Sequence, residues 1–384
     1  RIATDGRAVR TTETASRANC TRNRKLTAHK TLRGKPACGT PRHIAVIGAG
    51  ISGLTAARAL QDQGQRVVVF EKSRGQGGRA ATRRVDHLSF DHGAQYFTAR
   101  HPAFSRTVDA WRKQGLVDIW HARNGKIVLG EIQPAADGQE RLVAVPGMSA
   151  LGRNLAEDLA VHNAVQVGPP QRVAGRWRLS DNSGASLGEF ERLVVGIPAP
   201  QACRLLTKAA PGVAAQAAAI SYQPVWAVLL AFETGAIAGV DTLHFDGGPL
   251  GWAADNGSKP GRESRTWVLH ATPEWTQAHL NDDPDRVAMA LVKEFCTSTG
   301  REYGSIGYMV AHLWLYARVI NPLHTGALWD PELGLGVCGD WCQGDGIEHA
   351  FLSGRALAAR MLAHPGDATA HKPASDLPPP LREA

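Results

Sequence analysis

The chain has 384 residues, 43% hydrophobic and 20% charged, with 43 Lys and Arg against 35 Asp and Glu for a formal net charge of +8. That size and balance suit a globular protein with a large core, divided into about two domains. The longest clean apolar run, Val225–Phe232, is far short of the roughly 20 residues a membrane-spanning helix needs. The cysteines, Cys20, Cys38, Cys203, Cys296, Cys338 and Cys342, are scattered without a CxxC pair, and the histidines show no HExxH spacing. Neither a disulfide framework nor a metal site is expected, and a reducing cytoplasm is the compartment that cysteine usage suggests. The excess positive charge is local. Residues 1–42 hold eleven Lys and Arg and two Asp and Glu, which leaves the rest of the chain near neutral. Residues 1–41 therefore read as a basic, disordered extension: Thr- and Arg-rich, poor in acids, somewhat like an organelle transit peptide, and without the apolar stretch of a secretory signal. Any nucleic-acid binding by this tail would be nonspecific.

Order begins at His43. "HIAVIGAG" is a β-branched run ending in glycines and predicts a buried parallel strand. Ser52–Gln63 carries Leu54, Ala57 and Leu60 at helical spacing, and Gly64 stops the helix. "RVVVFEK" predicts the second strand of a βαβ unit. Ser73–Ala99 reads as a Gly- and Arg-rich loop region, followed by a short helix at Phe104–Gln114 and strands before residue 140. "VPGMSALGRNLAEDLA" reads as a turn and helix, and short strands follow around Ala164–Val173. "GRWRLSDNSG" turns back, and "ERLVVGIPAP" is a buried strand closed by prolines. Between Ala202 and Leu323 the pattern gives strands Val225–Phe232, Thr266–His270 and His312–Arg318 with one helix, Asp285–Thr299. "LGLGVCGDWC" returns to a glycine-flanked strand, and Gly346–Leu362 forms a last helix with a stripe of Ile347, Ala350, Gly354, Leu357 and Met361.

This order implies an α/β fold: a discontinuous Rossmann-type nucleotide domain into which a mixed-sheet domain is inserted twice. The expected division is 42–104, 141–203 and 324–364 for the nucleotide domain, 105–140 and 204–323 for the substrate domain, and a frayed tail from 365 to 384.

Gly48, Gly50 and Gly53 form GxGxxG between strand and helix. The first allows a tight turn, the second lets the backbone approach a pyrophosphate, and the third lets the helix pack on the sheet. The helix N-terminus adds unpaired N–H donors and partial positive charge. Glu71 ends the second strand, where its carboxylate can accept hydrogen bonds from a ribose. Glu71 alone separates neither NAD from FAD, since each carries a free 2′-hydroxyl. Further on, "SRGQGGRAATRR" offers three glycines and Arg79 to a second side of a pyrophosphate. Gly339 and Asp340 close a strand where an acid can meet a ribityl chain. The helix from Gly346 aims its N-terminus into the same gap, which suits the negative charge of a reduced flavin.

The stretches "IAVIGAGISGLTAARAL", "GGRAATRR", "FDHGAQYFTAR", "LVVGIPAPQA", "HLWLYAR" and "GDWC…EHAFLSGRALA" resemble the flavin-containing amine-oxidase superfamily, with its p-hydroxybenzoate-hydroxylase-like fold, and within it the renalase-like oxidoreductases. The resemblance spans most of His43–Leu362. It implies non-covalent FAD held by Gly48, Gly50, Ile51, Ser52, Gly53, Glu71, Lys72, Gly78, Arg79, Val173, Gly339, Asp340, Gly346 and Ile347, with Gln95 and Tyr96 beside the isoalloxazine ring. It also implies a dinucleotide substrate, a dihydronicotinamide isomer of NAD(P)H oxidised at the expense of O2, which becomes hydrogen peroxide. Such chemistry needs no catalytic acid or base, and none is assigned. Amine oxidases of the superfamily often place a tyrosine beside the glycine before the last helix; the matching stretch here is Asp345-Gly346-Ile347.

His312, Trp314, Tyr316 and Arg318 alternate along one strand and are expected to share a face, where together with Tyr96 they can stack a nicotinamide and hold a phosphate. Trp314 and Tyr316 read equally as sheet-packing residues. Trp226 reads as core. Cys342 follows the ribityl-side acid, and a buried, unreactive thiol is its usual state. His87, His92 and His101 read as solvated or structural.

Overall fold

The computed structural model describes residues 42–364, apart from 137, 234–238, 263–264 and 301–305. The expectations for residues 1–41 and 365–384 lie outside the described residues. In chain order the first half comprises β1 (His43–Ile47), α1 (Ile51–Asp62), β2 (Arg66–Glu71), β3 (Thr82–Val85), β4 (Leu88–Asp91), α2 (Pro102–Lys113), β5 (Val117–Ile119), β6 (Asn124–Val128), β7 (Glu131–Pro134), β8 (Leu142–Ala144), α3 (Ser149–Ala156), β9 (Ala160–Asn163), β10 (Gln171–Val173), β11 (Arg176–Ser180), β12 (Ser186–Phe190) and β13 (Arg192–Val195). The second half comprises α4 (Ala199–Leu206), α5 (Pro211–Ala218), β14 (Tyr222–Phe232), β15 (Thr242–Phe245), β16 (Leu250–Asp255), β17 (Thr266–Ala271), α6 (Pro273–Ala278), α7 (Pro284–Thr299), β18 (Ile306–Val319), β19 (Leu328–Asp330), β20 (Leu335–Val337) and α8 (Ile347–Ala363).

β1 is central in a sheet of order β19-β20-β13-β1-β2-β9, parallel except for the edge strand β19. Its alternation explains why the run is apolar throughout. Ile44 and Val46 face one core with Leu54 and Ala57 of α1 and Leu357 and Met361 of α8. Ala45 and Ile47 face a second core with Ala202 and Leu206 of α4 and Trp177 of β11. Both faces of a parallel sheet are covered in this way. Gly354 lets α8 cross α1 closely, since a Cβ there would stand 2.3 Å from the Ser52 carbonyl oxygen.

The second sheet runs β18-β14-β17-β16-β15-β6-β7, antiparallel except where β15 meets β6. Here the period-2 pattern divides the faces. Trp226, Val228, Leu230 and Phe232 pack with Leu291 and Phe295 of α7, while Leu229 and Ala231 meet Phe90 of β4.

Three sequence expectations need correction. The helix foreseen through "AEDLA" ends at Ala156. Ala160–Asn163 is instead β9, an edge strand of the parallel sheet, and only the end of Ala164–Val173 is extended as β10. The stretch after Ala202 holds α5 and α6 besides α7, both opened by a proline at their first helical position, which lacks an N–H the helix would not use. Finally, residues 105–140 do not act as one piece of the inserted domain. α2 packs on the nucleotide side, with Phe104 and Trp111 meeting Phe351 of α8 at ring-centroid distances of 5.1 and 5.9 Å. Only β6 and β7 join the second sheet.

Candidate functional site

The turn after β1 is fixed by its own backbone. Gly48 has φ +102°, and its N–H donates to the Phe70 carbonyl at 2.8 Å. A Cβ on Gly53 would lie 2.1 Å from the Gly48 carbonyl oxygen, so only glycine permits α1 to start this close to the turn. No side chain caps α1 at Gly50, which leaves its first N–H groups open to an anion. Glu71 is 7% exposed, and its two carboxylate oxygens accept from Ala49 N–H at 2.7 Å and Ser73 N–H at 2.8 Å. Each oxygen keeps lone-pair capacity for a ribose hydroxyl. The Gly-rich loop closes over the turn as Gly77 N–H donates to the Ala49 carbonyl.

At the other end, Asp340 is 2% exposed and accepts from Arg79 at 2.7 Å and from Trp341 N–H at 3.0 Å. Gly339 N–H donates to Ser353 Oγ of α8, and α8 itself starts at Gly346 without a side-chain cap. Glu348 in its first turn accepts from the backbone N–H groups of Arg100 and His101. The loop after β4 is thereby tied to α8.

One cavity of about 2150 Å³ runs from Glu71 and Lys72, past Gly48, Gly50, Gly78 and Arg79, to Gly339, Asp340, Gly346 and Ile347, and opens on the second sheet. Ile51, Ser52, Gln95 and Tyr96 line it as well. Gly53 stands behind the wall as the packing glycine. Two uncapped helix N-termini, a buried ribose-side acid and a second buried acid thus border one continuous space. These residues fit an extended dinucleotide such as FAD.

Val173 does not belong to this wall. It lies on β10 in a separate three-stranded sheet and is 38% exposed. Val165 and Val167 line the cavity in its place, since Val165 N–H donates to the Glu71 carbonyl and continues the chain past the end of β2. Arg79 lines the cavity and also bridges its two sides. Its guanidinium joins Asp340 to the carbonyls of Tyr316 and Ala317, at 3.2 and 3.3 Å, and so ties the cradle to β18.

His312, Trp314, Tyr316 and Arg318 all line the cavity, but not as one clean face. β18 carries extra residues opposite β14, because Val225 pairs with Trp314 while Gln223 pairs with Arg318. Leu315, among those extra residues, reaches the cavity, and so does Leu313 just before them. His312 packs edge-to-face on both His92 and Trp314, the His92 and Trp314 rings are tilted against each other, and Trp314 Nε1 donates to the His92 carbonyl at 2.8 Å. Tyr316 packs on Tyr222 and accepts from Arg204, while Arg318 is exposed beside Asp345.

His92 was expected to be solvated or structural. It is 8% exposed, and burial first, then His312 and Arg83, push its pKa down to about 4. His312 is lowered by burial and by Arg83. His244, Trp252, His270 and Val225 complete the wall. Burial and the charge of Lys259 push His270 down to about 4. Within the sequence only the "FDHGAQYFTAR" stretch hinted at His92; nothing local marked His244, Trp252 or His270. Tyr96 sits between Trp120 and Trp252, with the Arg141 guanidinium 5.0 Å from its ring centre.

Cys342 and Cys338 lie in the cores behind the cavity, fully buried, and burial pushes Cys338 up to about 12 and Cys342 higher still. Neither thiol lines the cavity. Trp226 is core, as read from the sequence, with Nε1 donating to the His279 carbonyl. Among the described residues no group of three or more His, Cys, Asp or Glu could hold a metal ion, and no helix is long and apolar enough to cross a membrane.

This architecture is an α/β fold that joins a Rossmann-type dinucleotide-binding domain to a facing mixed sheet. Residues 46–111 match the model of an NAD(P)-binding Rossmann-like domain. An L-amino-acid oxidase of Siganus canaliculatus is 40% identical over 73 residues, 18% of this chain and 14% of that protein. A zeta-carotene-forming phytoene desaturase of Myxococcus xanthus is 50% identical over 52 residues, 14% of this chain and 10% of that protein. The chain thus matches only a small part of the length of these curated relatives. The likeness in fold is far broader: cyclohexylamine oxidase from Brevibacterium oxydans IH-35A superposes with a TM-score of 0.68 at 15% identity, over 85% of this chain and 99% of that one.

Proposed function

We propose that the chain is a FAD-dependent oxidase of the renalase-like type. Its substrate is a dihydronicotinamide isomer of NAD(P)H, such as 2-dihydro-NAD(P), and its products are NAD(P)+ and hydrogen peroxide. The observation that carries the reading is the composition of the wall facing the cradle. It is built of aromatic rings and of imidazoles whose pKa values are held down to about 4 at His92 and His270. Such imidazoles are uncharged and weakly basic at neutral pH, so this wall stacks a ring well and removes a proton poorly. Loss of hydride from a dihydronicotinamide leaves an aromatic cation and requires no proton removal.

FAD, when bound, supplies the hydride acceptor; dioxygen then takes the two electrons and the proton of that hydride together with one solvent proton, giving hydrogen peroxide. The chain's own residues bind and orient. Trp314, Tyr96 and Trp252 offer ring faces. Arg83, exposed on β3 near His92 and His312, has no acid partner among the described residues and suits a substrate phosphate. Gly48, Gly50, Ile51, Ser52, Glu71, Lys72, Gly78, Asp340 and Ile347 would hold the cofactor.

Amine oxidation is the second reading, favoured by the fold shared with cyclohexylamine oxidase and by the match to an L-amino-acid oxidase. Anaerobic mixing separates the two. Purified protein should be yellow, and 2-dihydro-NAD(P) should bleach it within seconds. Bleaching by a primary amine and not by the dihydronicotinamide moves the assignment to the second reading. Colourless protein that refuses added FAD overturns both.

A further inference from the structure

Behind the wall lies a buried charge cluster that substrate binding does not use. Lys259 and Arg262 follow β16, with side chains 0% and 1% exposed. Both converge on one oxygen of Asp91 at the end of β4, Lys259 Nζ at 3.4 Å and Arg262 at 2.5 Å. The other Asp91 oxygen accepts from Thr82 Oγ1 at 2.7 Å and Met148 N–H at 2.9 Å. The ammonium also donates to Gln95 Oε1 at 2.9 Å and Asn256 Oδ1 at 3.1 Å, and it lies 5.2 Å from the centre of the Trp120 ring. All three of its donors are used, so this is a fixed point charge rather than a mobile one.

Isolating an ion from water costs several kcal/mol, about as much as a good partner returns, and two cations here share one ion-paired carboxylate. Burial accordingly pushes Lys259 down to about 8, against the pull of Asp91. Asp255, the other acid near it, spends its carboxylate on Gly257 N–H, and burial raises its pKa. The cluster reaches the cavity through two groups. Gln95 lines the cavity, accepts from Lys259 and donates to the Asp91 carbonyl. His270, on the same wall, has its proton affinity lowered by the charge of Lys259 as well as by burial.

We propose that Lys259, braced by Asp91 and holding Gln95, gives this cavity a standing positive potential that favours the electron-rich reduced form of the bound flavin. Lys259 is a positioning residue and touches no substrate. The inference rests on the FAD reading above. Its physical basis is that a fixed charge in a poorly solvated site acts on a neighbouring ring far more strongly than it would in water.

The test uses holoprotein of the wild type, Lys259→Met and Lys259→Arg. Two quantities are read: the midpoint potential of the flavin, by anaerobic equilibration with dyes, and the affinity for sulfite, which adds to oxidised flavin and leaves negative charge on the ring. Lys259→Met should lower the potential and weaken sulfite binding about tenfold or more, while Lys259→Arg stays near the wild type. A purely structural Lys259 would change stability and leave both quantities in place. Holo Lys259→Met with wild-type potential and sulfite affinity overturns the proposal. Should Lys259→Met retain no FAD, the wild type decides: its potential should fall more steeply with pH above about 8, as the ammonium loses its proton. Lys259→Arg should lack that break, and a wild type without it overturns the proposal equally. Wild-type protein that never takes up FAD shows itself before any variant is made, and defeats the FAD reading itself.

Discussion

The cradle and the inserted wall meet across one cavity but are built by opposite means. The cradle works through backbone: a left-handed glycine, two uncapped helix starts, and carboxylates fixed by main-chain N–H groups at Glu71 and Asp340. The wall works through side chains carried on long antiparallel strands, with rings packed edge-to-face at His92, His312 and Trp314. A backbone cradle accepts one kind of cofactor whatever the reaction, and the facing side chains choose the substrate. The comparisons divide along the same line. A Rossmann-like model matches residues 46–111 alone, while the fold as a whole is shared with an amine oxidase at 15% identity.

The largest effect should follow from breaking the cradle. In an open helix, Gly53→Ala would gain about 1 kcal/mol of helix propensity. Here the new Cβ would stand 2.1 Å from a backbone oxygen, and neither partner is a flexible side chain. Overpacking of this kind costs about 3 kcal/mol or more, so the clash wins. The variant should lose FAD and unfold earlier in urea; retained FAD at wild-type affinity would mean that α1 does not need its close start. Next comes Arg79→Met, which cuts the link between the halves. It strands Asp340, 2% exposed, with only the Trp341 N–H as a donor. A loss of about 2–3 kcal/mol is expected, less than for a fully buried pair because the Arg79 side chain is 29% exposed. FAD affinity should fall with it, and Arg79→Lys should restore part of each.

Legibility in the sequence followed the same division. The cradle could be read from spacing because each glycine and acid answers a local backbone demand, and the strand-turn-helix context around Gly48–Gly53 and Glu71 is complete within a few dozen residues. The wall could be read only partly. Alternation placed His312 and Trp314 on the cavity side, but no local rule shows the extra residues of β18 opposite β14 that bring Leu315 there too. His244, Trp252 and His270 stand directly opposite one another on three successive strands, β15, β16 and β17, so their convergence depends on a register that only the sheet pairing shows. Lys259 is the extreme case. A lysine in a Gly- and Pro-rich turn reads as solvated, and only the fold shows it enclosed with Asp91, more than 150 residues away.

A smaller effect should appear on acidification. His92 has a folded pKa of about 4 against an ordinary 6.5, chiefly through burial. Between those values the unfolded chain binds more protons than the folded one, so stability falls as pH drops through this window. A full shift of this size corresponds to about 3 kcal/mol, an upper bound for one side chain. His92→Leu should flatten the decline of urea midpoint between pH 6.5 and pH 4, the interval those two values define. An unchanged slope would place the acid sensitivity in other groups.

The smallest effect is the sharpest test of where the cradle ends. Val173 and Val167 lie in the same short stretch of chain after β9, and spacing alone does not choose between them. Val173 pairs with Arg176 across the hairpin of β10 and β11 and is 38% exposed. Val167 is 8% exposed, lines the cavity, and packs with Phe70 at the end of β2. Val173→Thr should therefore stay within about 0.5 kcal/mol of the wild type and leave FAD affinity untouched. Val167→Ala should cost about 1–2 kcal/mol, since it removes buried methyl groups, and should weaken FAD as the wall recedes. Equilibrium dialysis against FAD with both variants reads the difference directly. A loss of affinity in Val173→Thr alone would shift the boundary of the cradle onto the three-stranded sheet, and the chain between Glu71 and β10 would then have to be redrawn as the cofactor's outer wall.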